Sequence, residues 1–161
     1  MVKKNIPRYL EIVTQAMLMS IPKQGKSKKG NLMHYSVGAL IKRGNKYLLI
    51  DRAQPPFGFA GIAGHIDKEE TPKQALLREV EEESKLKIEK HELVFKEELD
   101  WNWCSKGVKV HFWHLFDCEV SGKTKENYRE TKFIGWYSVD EIKKLKLEPV
   151  WEYWFKKLKI I

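Results

Sequence analysis

The chain has 161 residues, 42% of them hydrophobic and 12% aromatic, with a net charge of +8. That is enough for one domain with a real core, too little for two ordinary ones, and too rich in large rings for a disordered tail. No apolar run approaches a membrane span, no signal peptide follows the basic start, and two cysteines are too few for a disulfide framework, so a reduced, cytoplasmic protein is expected.

The charge is uneven. Residues 1 to 30 carry seven lysines and arginines against Glu11 alone, a net +6 of the whole chain's +8. A solvated loop around Lys23 to Lys29 is one reading; steering of a polyanion, either a nucleotide or an RNA end, is the other.

In chain order, residues 6 to 19 show a near-helical apolar stripe, able to pack internally or across a homodimer. Pro22 to Gly30 reads as a polar linker, so residues 1–30 are expected as an N-terminal helix and basic linker ahead of a domain over 31–161. Strands are expected at 34–42 and 46–51, joined by a turn at Gly44-Asn45, then a loop from Ala53 to Phe59. Thr71 and Pro72 open a helix over 72–84. A hairpin follows, with strands at 92–101 and 108–120 turning near Lys106-Gly107, then a strand at 132–138. Ser138 and Glu141 form a capping box for a short helix. A last helix covers 148–158, with Trp151, Trp154, Phe155 and Leu158 on one side. Irregular alternation of strands and helices points to an α/β fold with a mixed sheet covered by helices.

The helix over 72–84 carries the chemistry. At about 100° per residue from Leu76, Val80 and Leu77 fall at about 40° and 100°, an apolar arc able to face the sheet. Glu79, Glu82 and Glu83 fall at about 300°, 240° and 340°, so three carboxylates share an arc beside that face, while Glu81 points away. Like charges so placed repel, and a divalent cation removes the repulsion. Oxygen ligands favour magnesium or manganese over zinc. Magnesium held by few carboxylates accepts phosphate oxygens, which suits hydrolysis of a diphosphate.

The spacing is specific. Gly64, Glu70, Arg78, Glu79, Val80, Glu82, Glu83 and Leu86 resemble the Nudix box, in which a glycine, five residues, a glutamate and seven residues precede Arg-Glu-apolar-any-Glu-Glu-any-Gly-apolar. The one departure is Lys85 in place of the late glycine, which unsettles the helix end and the next loop. The resemblance extends over about residues 34 to 145.

The resemblance implies an α/β/α sandwich and a magnesium- or manganese-dependent hydrolase. Its reaction would be cleavage of a phosphoanhydride in a nucleoside diphosphate derivative or a nucleoside triphosphate. Glu79, Glu82 and Glu83 would be metal ligands. Gly64 would supply a tight turn, and Arg78 would pair with Glu70. Catalytic work would fall to Glu82 and Glu79, with the general base a box glutamate or a later one: Glu82, Glu98, Glu126 or Glu130. Glu130 has the best claim outside the box, because it precedes the Trp136 strand in an expected loop, although a surface ion pair is its competing use. Gly64, His65 and Phe59 are expected at the substrate, with a loop hydrogen bond as His65's alternative and packing as Phe59's.

Trp101 and Trp103, two apart on an expected strand, share a face; core packing is favoured over stacking on a nucleobase. Cys104, His111, His114 and Cys118 raise zinc, but His111 and His114 would face opposite sides of one strand, so joint ligation is not expected. Two other readings stay open. One is an RNA 5′-end pyrophosphohydrolase using the basic extension; the other is a nucleotide-binding module of the same fold without turnover. No motif points to the superfamily's isoprenoid diphosphate isomerases.

Overall fold

The structure, a computed structural model, describes residues 21–125 and 131–161. The expected helix over 6–19 and the candidates Glu126 and Glu130 lie outside the described residues.

The strands are β1 (Gln24–Lys26), β2 (Leu32–Arg43), β3 (Lys46–Arg52), β4 (Phe59–Ala60), β5 (Ile62–His65), β6 (Lys87–Leu99), β7 (His111–Ser121) and β8 (Thr131–Ser138). The helices are α1 (Pro72–Ser84), α2 (Val139–Ile142) and α3 (Pro149–Lys157). The sheet order is β4-β3-β2-β7-β6, with β1 and β5 also pairing with β2, and β8 with β3. The β2–β7 pair is parallel and the other strand pairs are antiparallel, so the sheet is mixed.

Two small residues show how the layers close. Val37 pairs with Gly64, so the two share a face of the sheet, and a Cβ on Gly64 would run into Glu79 of α1. Gly38, one residue on, faces the other way, and its added Cβ would meet Trp113, Leu115 and Trp151 of α3. The sheet is therefore held between α1 and α3. Trp151, Trp154 and Phe155 are at most 1% exposed, as the stripe on 148–158 predicts. Burying a side chain such as Phe155 contributes about 1.5–3 kcal/mol.

Local rules account for the helix ends. Thr71 Oγ1 accepts from Gln74 N and Thr71 N donates to Gln74 Oε1, with Pro72 in the first turn. Ser138 and Glu141 close the expected capping box on α2. Lys85 does take the left-handed conformation, at φ 62°, that a glycine would adopt without a Cβ penalty.

Four expectations are corrected. Pro22 to Gly30 is not a linker outside the sheet: β1 pairs with β2, and Lys23 N donates to Ile66 O at 2.8 Å. The four lysines of this stretch are exposed, as the solvated reading expects; Lys29 Nζ lies 2.6 Å from Asp100, and Lys28 N donates to Glu98. Leu77 is 40% exposed, because the buried face of α1 runs through Ala75, Glu79, Glu83, Leu76, Val80 and Ser84. Glu79 and Glu83 thus lie within the buried face rather than beside it. Trp101 and Trp103 sit on the β6–β7 loop, since β6 ends at Leu99; both are nearly half exposed, and neither is core.

Candidate active site

An open cleft of about 450 Å³ is lined by Gly64 and His65 of β5, Glu79, Glu82 and Glu83 of α1, and residues of the β6–β7 loop and α3. It brings together three carboxylates that neighbour one another at i, i+3 and i, i+4 on one helix. Glu79 and Glu83 are 8% and 4% exposed; Glu82 is on the open side.

Arg78 organises the acids. Its Nε and Nη2 donate to the two oxygens of Glu70 at 2.7 and 2.9 Å, a fork-to-fork pair. Nη2 also donates to the His65 carbonyl at 3.0 Å, which ties α1 to the end of β5. Nη1 donates to Glu79 Oε1 at 2.6 Å and reaches Glu82 at 3.4 Å, and Asp67 lies 3.8 Å from Nη2. Four carboxylates therefore share this guanidinium, before Glu83 is counted. The pairing with Glu70 first, and with Glu79, holds Arg78 well above its ordinary range. Burial alone would raise Glu70, but hydrogen bonds from Arg78 and from Asp67 N outweigh it and hold the carboxyl below its usual range.

Gly64 is required for a different reason from the expected one. It lies in β5, not in a turn, and an added Cβ would fall 1.9 Å from Glu79 Oε1 and 2.1 Å from Cδ. The Glu79 carboxylate lies directly against the Gly64 backbone.

His65 lines the cleft beside Gly64. Burial, then the neighbouring His111 and His34, lower its pKa to about 3, so the imidazole is neutral at physiological pH. Phe59 is not among the lining residues; it packs edge-on against Tyr137, with centroids 5.5 Å apart. Glu98 accepts from Lys28 N away from the cleft. Trp103 lines the cleft, whereas Trp101 leans on Tyr153 at 5.5 Å, so the two do not act as a pair. His114 packs against Phe112 at 5.3 Å, on the face of β7 opposite His111, and Cys118 is buried away from the cleft.

Sequence reasoning passed over Asn102 and Glu148. Asn102 Oδ1 accepts from Trp113 Nε1, and its carbonyl accepts from His111 Nδ1, both at 2.7 Å. Glu148, 3% exposed, caps α3 by accepting from Val150 N and Trp151 N at 3.1 and 3.2 Å; burial raises its carboxyl despite the nearby Arg52. An acid before Pro149 is a legible cap signal, whereas the Asn102 contacts depend on a loop's path and leave no local signal.

Among the described residues, no helix is long and apolar enough to cross a membrane. No curated protein is similar enough in sequence to match. Solved structures share the fold. A MutT NUDIX hydrolase from Burkholderia pseudomallei is 23% identical with a TM-score of 0.60, over 68% of this chain and 85% of that one. The mutator MutT protein of Bacillus halodurans is 20% identical with a TM-score of 0.62, over 76% and 79%. The NUDIX domain of Shewanella oneidensis NrtR, in complex with ADP ribose, is 16% identical with a TM-score of 0.64, over 78% and 85%. The family model for the NUDIX domain matches residues 32–158, which spans every strand from β2 to β8 and all three helices, and by that match the chain belongs to the Nudix family.

Proposed function

We propose that this protein is a magnesium- or manganese-dependent hydrolase that cleaves a phosphoanhydride bond in a nucleoside diphosphate derivative or a nucleoside triphosphate. The observation that carries the reading is the gathering of Glu79, Glu82 and Glu83 on one wall of a cleft, with Gly64 beside them and Arg78 shared among their acidic neighbours. The donor set is all oxygen, and two of the three carboxylates are buried, which suits a hard divalent cation. Glu79, Glu82 and Glu83 would hold it. When bound, it would supply positive charge against diphosphate oxygens and acidify a water.

The protein's own groups do the rest. Arg78 fixes Glu79 and, through Glu70 and the His65 carbonyl, keeps α1 in register with β5. Glu82 is open enough to take a proton from an attacking water at its carboxylate. Glu130 is the candidate base outside the box, and comparing E130Q with E82Q separates the two. Gly64 and the backbone of His65 would lie against the substrate's phosphates, and Trp103, half exposed in the cleft wall, offers a stacking surface for a base.

The test is a phosphate- and pyrophosphate-release screen with magnesium over nucleotide sugars, ADP-ribose, dinucleoside polyphosphates, NTPs and dNTPs. A 5′-triphosphorylated oligonucleotide is the RNA arm. Turnover is expected on a nucleotide, falling by about 10²-fold or more in E82Q or E83Q with the fold intact. Unchanged turnover in both variants would refute the site. Binding without release across the panel would leave a non-catalytic module.

A further inference from the structure

Four side chains that the hydrolase reading leaves without a shared task meet at one place. His34 of β2, His65 of β5, Cys104 of the β6–β7 loop and His111 of β7 each bring one ligand atom to a common point, and these atoms all lie within 4.8 Å of one another. Strand register assembles three of them. His34 and His111 are direct partners across the parallel β2–β7 pair. His65 is the partner of Ser36, two residues along β2 from His34 and so on the same face. The loop delivers the fourth: Cys104 N donates to Val108 O and Gly107 N to Cys104 O, both at 3.0 Å, and Cys104 Sγ lies 3.8 Å from His34 Nδ1.

One of these separations matches that of ligands around one ion, a second is slightly longer, and the set as a whole lies within 4.8 Å, so a bound ion would draw the ligands in. Tetrahedral bonds of about 2.0–2.1 Å to nitrogen and about 2.3 Å to sulfur put two nitrogens about 3.3–3.4 Å apart, and nitrogen and sulfur about 3.5–3.6 Å apart. His65 Nε2 and His111 Nε2 are 3.3 Å apart, and the sulfur–nitrogen distance is 3.8 Å. An outer layer is built as well. His111 Nδ1 faces the Asn102 carbonyl at 2.7 Å, which can only accept, so the proton of the neutral ring sits on Nδ1 and the lone pair on Nε2, the atom turned toward His65. Asn102 is itself held by Trp113. His34 and His111 are 3% and 2% exposed, so little water competes for their nitrogens.

We propose that His34, His65, Cys104 and His111 form a tetrahedral site for a zinc-class divalent ion, using ligands other than the carboxylate set, that ties the β6–β7 loop to the sheet in the wall of the cleft. Three imidazoles and a thiolate favour zinc over magnesium or manganese. Four protein ligands leave no open position, so the ion's task is structural, fixing the loop that carries Trp103 and Lys106 into the cleft wall. On binding, the Cys104 thiol loses its proton to solvent and its sulfur bonds the ion. The spacing-based quartet of Cys104, His111, His114 and Cys118 fails because His114 and Cys118 lie elsewhere; the fold supplies His34 and His65 in their place.

The whole 161-residue chain, reduced and stripped with chelator, is titrated with cobalt(II) and then zinc. The expected result is the visible spectrum of tetrahedral cobalt with a near-ultraviolet thiolate-to-cobalt band, saturating at a single equivalent. Zinc should bleach it and excess magnesium should not. The spectrum should persist in E83Q, while C104S should lose the thiolate band and H111A should weaken binding by about 100-fold or more. Should H111A fail to fold, wild-type protein gives a second readout. Zinc should slow modification of Cys104 by a thiol reagent by at least about tenfold, with buried Cys118 as the internal reference. A cobalt spectrum without a thiolate band, competition by magnesium, loss of the spectrum in E83Q, or unprotected Cys104 would each overturn the proposal. None of these bears on phosphate release, so the hydrolase reading stands or falls separately.

Discussion

Replacing Gly64 with alanine tests the geometry of the acidic cluster most directly. A strand glycine ordinarily costs about 0.5–1 kcal/mol relative to alanine, so the generic expectation is stabilisation. Here the new Cβ would sit 1.9 Å from Glu79 Oε1, the oxygen that accepts from Arg78 at 2.6 Å. Glu79 is 8% exposed, and its carboxylate has little room to retreat. Losing a charge-assisted hydrogen bond costs about 1.5–3 kcal/mol, and overpacking adds about 1–3 kcal/mol. After the alanine gain, the net loss is about 2–5 kcal/mol. For a chain of this length that lowers Tm by roughly 4–20 °C. The assay is thermal unfolding of G64A, E79A, the double variant and wild type. In the E79A background the obstructing carboxylate is gone, and G64A should become neutral or stabilising. Wild-type stability in G64A, or an equal penalty with and without Glu79, would refute the reasoning.

Other consequences concern stability around the same helix. Glu70 has a folded pKa below its ordinary 4.5, so its ion pair contributes fully above that pH and is lost as pH falls through the lower folded value. E70Q should therefore be less stable than wild type near neutral pH and should converge on it in acid; a constant gap in urea-unfolding free energy across that range would contradict this. Lys85 holds a left-handed conformation at the end of α1. K85G should gain about 0.5–1 kcal/mol, the αL relief less the entropy of glycine, seen as a higher urea midpoint with an unchanged m-value.

Much of the site could be read from the chain because it is local. Glu79, Glu82 and Glu83 share a helix, and 3.6-residue periodicity places them without any knowledge of partners. Thr71, Pro72, Ser138 and Glu141 act through neighbours a few residues away, so α1 and the cap of α2 follow from short-range hydrogen bonding. The direction of a helix's buried face does not follow so simply. Leu77 looked apolar enough to be core, yet the sheet meets α1 on the arc that carries Glu79 and Glu83. Likewise the spacing of Trp101 and Trp103 reads as strand, because alternation does not mark where β6 ends and its loop begins.

What the chain determined by itself is the acidic helix, its caps and the spacing that joins Gly64 to Arg78, since each depends on contacts within a few turns of backbone. Which distant residues become neighbours depends on the fold as a whole. Gly64 matters because Glu79 lies against its backbone, and His34, His65, Cys104 and His111 meet because β2, β5 and β7 pair in one particular register. Register is set by which hydrophobic faces are buried across the whole sheet, a property no short window of sequence contains.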